Sequence, residues 1–145
     1  MDEMMTWITR ILTAGLLLCM AVPSSATDTF DALPRKANST EIRWVRAALE
    51  TQLKDADSAR LKGLKVITSP LGEDQDYTVC GLVNAKNGYG AYTGYSAINA
   101  LLSAKRKLAY DVDIDTAQTD GVVARACESA LKMTLLLQQL KAQSS

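Results

Sequence analysis

The chain has 145 residues, with 16 Lys and Arg against 16 Asp and Glu, three Cys and no His. A balance so near neutral gives no electrostatic basis for binding nucleic acid or an anionic membrane surface, both of which call for a strong basic bias. The missing His removes the Ser-His-Asp and Cys-His arrangements, and with them the commonest general base near neutral pH.

At the N-terminus Arg10 precedes an apolar run, Ile11 to Val22, followed by Pro23-Ser24-Ser25-Ala26. A positive residue, an apolar core of this length and small residues at −3 and −1 form a secretory signal, cleaved between Ala26 and Thr27. The run falls short of the roughly 20 residues that cross a bilayer, so no transmembrane helix is expected after cleavage. Asp2 and Glu3 put negative charge where a signal wants positive, and a start at Met4 or Met5 removes them. Two other readings of the segment are a buried apolar helix of a cytosolic protein and a lipid anchor on Cys19. The Leu16-Leu17-Leu18 run weighs against the anchor, because lipoprotein processing prefers a small residue there. A periplasmic or secreted protein is expected.

Removing residues 1–26 leaves 119, with 15 Lys and Arg against 14 Asp and Glu once Arg10, Asp2 and Glu3 are gone. That length suits one domain with a modest core. Two Cys remain, Cys80 and Cys127, and an even count in an oxidising compartment favours a disulfide. The competing expectation is two separately buried thiols. No CxxC spacing and no His accompany them, so neither a zinc site nor a thioredoxin-like motif is expected.

Residues 27–37 lack a period and carry Pro34, which reads as a flexible leader to a single domain over 38–145. Asn38 caps a helix, with Glu41 placed to reach back. Ile42, Val45, Leu49 and Leu53 then recur at helical spacing, with Trp44 on the margin of the stripe. The helix weakens across Lys54 to Ser58, where Asp and Ser favour turns. Leu64 to Thr68 is short and β-branched, a first strand, and Tyr77 to Asn84 is a second. Lys86-Asn87-Gly88-Tyr89-Gly90 supplies an Asn-Gly reversal, a third strand follows from about Ala91 to Ala100, and Lys107 to Asp113 forms a fourth. A last helix starts at Asp115 or Thr119 and presents Val123, Cys127, Ala130, Leu131 and Leu137 to the sheet. The expected fold is α+β in two layers: an N-terminal helix, a three- to four-stranded antiparallel meander, and a C-terminal helix packed on the sheet so that Cys127 meets Cys80.

Two segments carry a resemblance. Leu53-Lys54-Asp55-Ala56-Asp57-Ser58-Ala59-Arg60-Leu61, followed by Val79-Cys80-Gly81-Leu82-Val83-Asn84-Ala85-Lys86-Asn87-Gly88-Tyr89-Gly90-Ala91-Tyr92-Thr93-Gly94-Tyr95, resembles a group of small exported proteobacterial proteins. Their shared features are an LKDPxSAxF-like turn and a CGxVNAKNxxGxYxG-like segment. The similarity spans Ile42 to Ile98. This chain departs from the pattern at Ala56, Leu61 and Ile98, where Pro, Phe and an aromatic are usual. The resemblance implies an exported domain of unknown function and brings no catalytic residues with it.

Asn84, Lys86 and Asn87 supply donors and acceptors, and Tyr89, Tyr92 and Tyr95 supply flat amphipathic faces. The segment therefore reads as a partner-binding hairpin for a protein or envelope component. The bland alternative gives the Asn side chains to the turn backbone and the Tyr rings to cross-strand packing. Asp111, Asp113 and Asp115 alternate and could line one strand face as calcium ligands or as the carboxylate pair of a hydrolase or inhibitor. They lack the Gly and terminal Glu of a calcium loop, so a solvated strand end is the simpler reading. No cofactor and no metal are expected, and a non-catalytic domain is favoured over an enzyme.

Overall fold

The computed structural model describes residues 33–144. The expected signal segment and its Ala26–Thr27 cleavage point lie outside these residues. The elements run β1 (Arg35–Lys36), α1 (Ser39–Leu49), β2 (Arg60–Val66), β3 (Asp76–Asn84), β4 (Ser96–Ser103), β5 (Leu108–Ile114) and α2 (Val122–Gln143). The fold is α+β: one antiparallel sheet in the order β1-β2-β3-β4-β5, with two helices.

Strand alternation decides which face each helix covers. Val79 joins Val45 and Leu49 of α1 in the main core, together with Val66, Val83, Ile98, Ala100, Leu102 and Val112. Cys80 points the other way and is disulfide-bonded to Cys127 of α2, with the Cα atoms 5.9 Å apart. The helices therefore lie on opposite faces. The expected two layers become three because α1 covers the Tyr77–Val79–Val83 face of β3 while the disulfide from Cys80 holds α2 on the other.

Leu33 is buried, and Arg35 and Lys36 pair with Val66 and Lys65. This part of the expected leader is instead an edge strand, too short for any period to show. Asn38 and Glu41 form a capping box at the start of α1. Trp44 is half-buried against the core, as a stripe margin should be.

Strand β2 begins at Arg60, ahead of the expected Leu64, and its alternation is broken by a bulge between Lys62 and Lys65. The bulge presses the Leu64 backbone onto Gly81, where an added Cβ would stand 3.0 Å from the Leu64 Cα. Only glycine fits beneath it without moving the strand.

Helix α2 begins later than expected because residues 115–121 are a separate cap. The Asp115 carboxylate accepts from the Val123 and Ala124 N–H groups at 2.9 and 3.0 Å and from Thr119 Oγ1 at 3.1 Å. Burial acts to raise the Asp115 pKa, but these hydrogen bonds outweigh it and hold the carboxyl below its ordinary value. On its sheet side α2 buries Val123 and Thr134, and Gln138 Nε2 donates to the Leu33 carbonyl at 2.7 Å. Leu137, expected on that side, is half exposed.

With few other ties, α2 depends on its disulfide. The C80A/C127A variant is expected to lose about 3–4 kcal/mol of unfolding free energy, from the loop closed between the two cysteines. Amide exchange should rise first in α2, and unchanged protection there would show that packing alone holds the helix.

Candidate functional site

The segment between β3 and β4, residues 85–95, is not a two-residue hairpin. Asn87 and Gly88 do not take positive φ; Gly90 does, at +81°. The Asn87 carbonyl accepts from the Gly90 N–H at 3.0 Å, and its N–H donates to the Ala91 carbonyl at 2.8 Å. Its side-chain Oδ1 accepts from the N–H groups of Tyr89 and Ala91 at 3.0 and 3.1 Å. Asn87 therefore organises a wider turn through its side chain, as Asn commonly does. A single bridge joins Lys86 to Tyr92, and the third strand begins at Ser96 rather than near Ala91.

Asn84, buried at the end of β3, accepts from the Gly94 N–H at 3.2 Å and closes the base of the loop. Lys86 Nζ lies 2.9 Å from Asp55 Oδ2. That hydrogen bond is the leading reason that the Asp55 carboxyl is held below its ordinary pKa and the Lys86 ammonium above. The Tyr92 hydroxyl donates to the Ser58 carbonyl at 2.8 Å. The Arg60 guanidinium stacks 4.1 Å from the Tyr92 ring centroid, and Lys62 Nζ lies 5.4 Å from that of Tyr95.

The turn beneath the loop is anchored in its own right. Arg46 Nη1 donates to the carbonyls of Ala56, Asp57 and Ala59 at 3.2, 3.3 and 3.1 Å, while Asp55 Oδ1 accepts from the Ser58 N–H at 3.2 Å. The line of support runs from α1 through Arg46 to residues 55–59, and from there to Lys86 and Tyr92. Arg46 reads in sequence as an outward helix residue, and its convergence on three carbonyls is a tertiary feature with no local signal. Arg60 and Lys62 escape a sequence reading for the same reason that the start of β2 does.

Of the side chains expected to bind a partner, Asn84, Lys86, Asn87 and Tyr92 are engaged within the molecule. Tyr89 is 98 % exposed at the tip of the turn. The loop is thus a braced platform with Tyr89 fully outward at its tip and Tyr95 half exposed, Arg60 stacking on Tyr92 and Lys62 lying over Tyr95.

The three aspartates do not form a cluster. Asp111 and Asp113 are exposed opposite Leu101 and Asn99, while Asp115 is committed to capping α2. Among the described residues no group of three His, Cys, Asp or Glu side chains is placed to hold a metal ion. A concavity of about 450 Å³ lies between α2 and the β2–β3 connection, lined by Leu33, Leu71, Met133 and Leu137 with Thr134 and Lys141. No helix among the described residues is long and apolar enough to cross a membrane.

No family model, curated protein or solved structure matches the chain.

Because the loop is braced from below, Tyr92→Phe is expected to lower unfolding free energy by about 1 kcal/mol, the usual net worth of one hydrogen bond. Lys86→Ala should cost less, its ion pair being exposed. Urea unfolding of both variants checks this, and a Tyr92→Phe midpoint equal to wild type would mean that the hydroxyl contact braces nothing.

Proposed function

We propose that the protein is an exported, disulfide-stapled, non-catalytic binding domain that presents the Asn84–Tyr95 loop to a protein or envelope component. The observation that carries the reading is the contrast within the loop. Its polar groups are engaged with its own backbone and with the 55–59 turn, while Tyr89 stands fully in solvent. A loop ordered before contact loses little conformational entropy on binding. A rigid Tyr offers apolar area and a hydroxyl together. Arg60, stacked on Tyr92, and Lys62, over Tyr95, add exposed positive charge to the same loop, which suits a partner surface that carries acidic groups.

Export is supported by the signal-like run ending at Ala26 and by the Cys80–Cys127 disulfide, which fits an oxidising compartment. The two segments that carry the resemblance to small exported proteins touch each other through Asp55–Lys86 and Ser58–Tyr92. The departures from that pattern fall on packed positions: Ala56 and Ile98 are buried, and Leu61 is half-buried against the core. The alternative of a hydrolase or inhibitor working through Asp111, Asp113 and Asp115 has no supporting geometry, since the three are exposed or used as a cap.

Tyr89→Ser is expected to reduce retention on isolated envelope material by about tenfold, or about 1.4 kcal/mol, with no change in Tm. Retention equal to wild type would remove the loop as the binding element. N-terminal sequencing of the protein recovered from the periplasm or medium should begin at Thr27, and recovery only as uncleaved cytosolic chain would contradict export.

A further inference from the structure

Helix α2 carries a second, mainly apolar seam that its own fold leaves uncovered. Val122, Ala126, Ser129, Met133, Leu136 and Leu140 follow one another at alternating steps of four and three residues, and all six are exposed. The sheet-facing residues, Val123, Cys127, Ala130, Leu131 and Thr134, occupy a different side of the same helix. A 3.5-residue repeat held from Val122 to Leu140 of a 22-residue helix, apolar at every position but Ser129, is the pattern that seats one helix against another. A solvated helix face does not need it. The one serine is compatible with such a seam, because a helical Ser hydroxyl can bond a carbonyl of the preceding turn.

The order of sizes along the seam identifies the occupant. Its two small side chains, Ala126 and Ser129, lie in the first half and its large ones, Met133, Leu136 and Leu140, in the second. The pattern is symmetric about the level of Leu131. When a second α2 runs antiparallel, Val122 faces Leu140 of the partner subunit, Ala126 faces Leu136 of the partner subunit, and Ser129 faces Met133 of the partner subunit. In the two inner layers a large side chain thus lies over a small one. Parallel pairing would set Ala against Ala in one layer and Ser against Ser in the next, leaving gaps that forfeit contact energy. A two-fold dimer requires one patch that is complementary to itself, and this seam meets that requirement.

We infer that the protein is an antiparallel homodimer through α2. This does not rest on the binding role given to the Asn84–Tyr95 loop. Val122, Met133, Leu136 and Leu140 are each about half exposed, and Ala126 and Ser129 are exposed between them. Covering them in two copies removes on the order of 1,000 Å² from water, about the lower limit for a specific interface. Lys132, at the level of the two-fold axis but to one side of the seam, lies 2.8 Å from Glu128, which offsets its charge.

Sedimentation equilibrium of the purified protein tests this. The wild type is expected to be a concentration-dependent dimer in the micromolar range. Leu136→Glu should weaken association by at least about tenfold, while Leu135→Glu, on the same helix but off the seam, should leave it unchanged. Helical circular dichroism of each variant reports that α2 is still formed. The A126E/L136K double variant places opposite charges face to face in the antiparallel pair, so it should recover association that either single change loses. A wild-type monomer over the whole range overturns the inference, including the case in which residues 11–22 or another protein cover the seam. Persistent dimer in Leu136→Glu, or no recovery in the double variant, also overturns it.

Discussion

The Glu41 carboxylate, 3 % exposed, sits where three parts of the chain meet. Arg35 of β1 grips it with two guanidinium nitrogens at 2.6 and 2.9 Å, the Asn38 N–H donates to it at 2.7 Å, and the Tyr77 hydroxyl of β3 donates at 3.1 Å. Burial by itself would raise the Glu41 pKa. The Arg35 and Asn38 hydrogen bonds, the Arg35 charge and the Tyr77 hydroxyl outweigh it and hold the carboxyl below its ordinary value. A buried charge is tolerable only when it is paired and its lone pairs are filled, and here both conditions hold. The consequence is geometric: one side chain fixes the start of α1, ties the edge strand to the helix, and sets α1 against the sheet.

From that fixed helix the rest of the α1 face follows. Val45 and Leu49 fill the core against β3, β4 and β5, and Arg46, next to Val45, gathers the carbonyls of the 55–59 turn. That turn braces the Asn84–Tyr95 loop. The other face is built differently: a covalent bond, a carboxylate cap and a few side-chain contacts hold α2, and much of its apolar surface stays open. The two faces of the sheet thus divide the work, one supplying stability and a rigid loop, the other offering a mainly apolar helix seam to a second molecule.

Much of this could be read locally. The Asn38–Glu41 cap, the apolar stripe with Trp44 at its margin and the Cys80–Cys127 pairing each left a signal of spacing or count. What escaped was set by tertiary contact. Arg35 and Lys36 form a strand too short to have a period. Gly63 and the bulge hid the first half of β2. Asn87-Gly88 suggested a tight reversal, but the Asn87 side chain bonds two N–H groups and widens the turn. Asp115 read both as a start of the last helix and as part of an acidic array, and its capping role was hidden because the first N–H it caps lies eight residues on, at Val123. The loop residues were legible as a unit, yet their direction was not: Asn84 and Asn87 turn to their own backbone and Lys86 to Asp55, leaving Tyr89 outward.

The central claim is that the ionised Glu41 holds the α1 layer in place, and unfolding free energy measured against pH for wild type and Glu41→Gln tests it most directly. A carboxyl with a depressed folded pKa contributes stability that is present above its unfolded pKa and lost as pH falls through the folded one. At about pH 7 the Glu41→Gln protein should be less stable by about 2 kcal/mol, the usual net worth of a hydrogen bond to a charged group, with Arg35 left facing a neutral one. The gap should close as the solution is acidified and the wild-type carboxyl takes up its proton. A gap of constant size across that range, or no gap at neutral pH, would contradict the account.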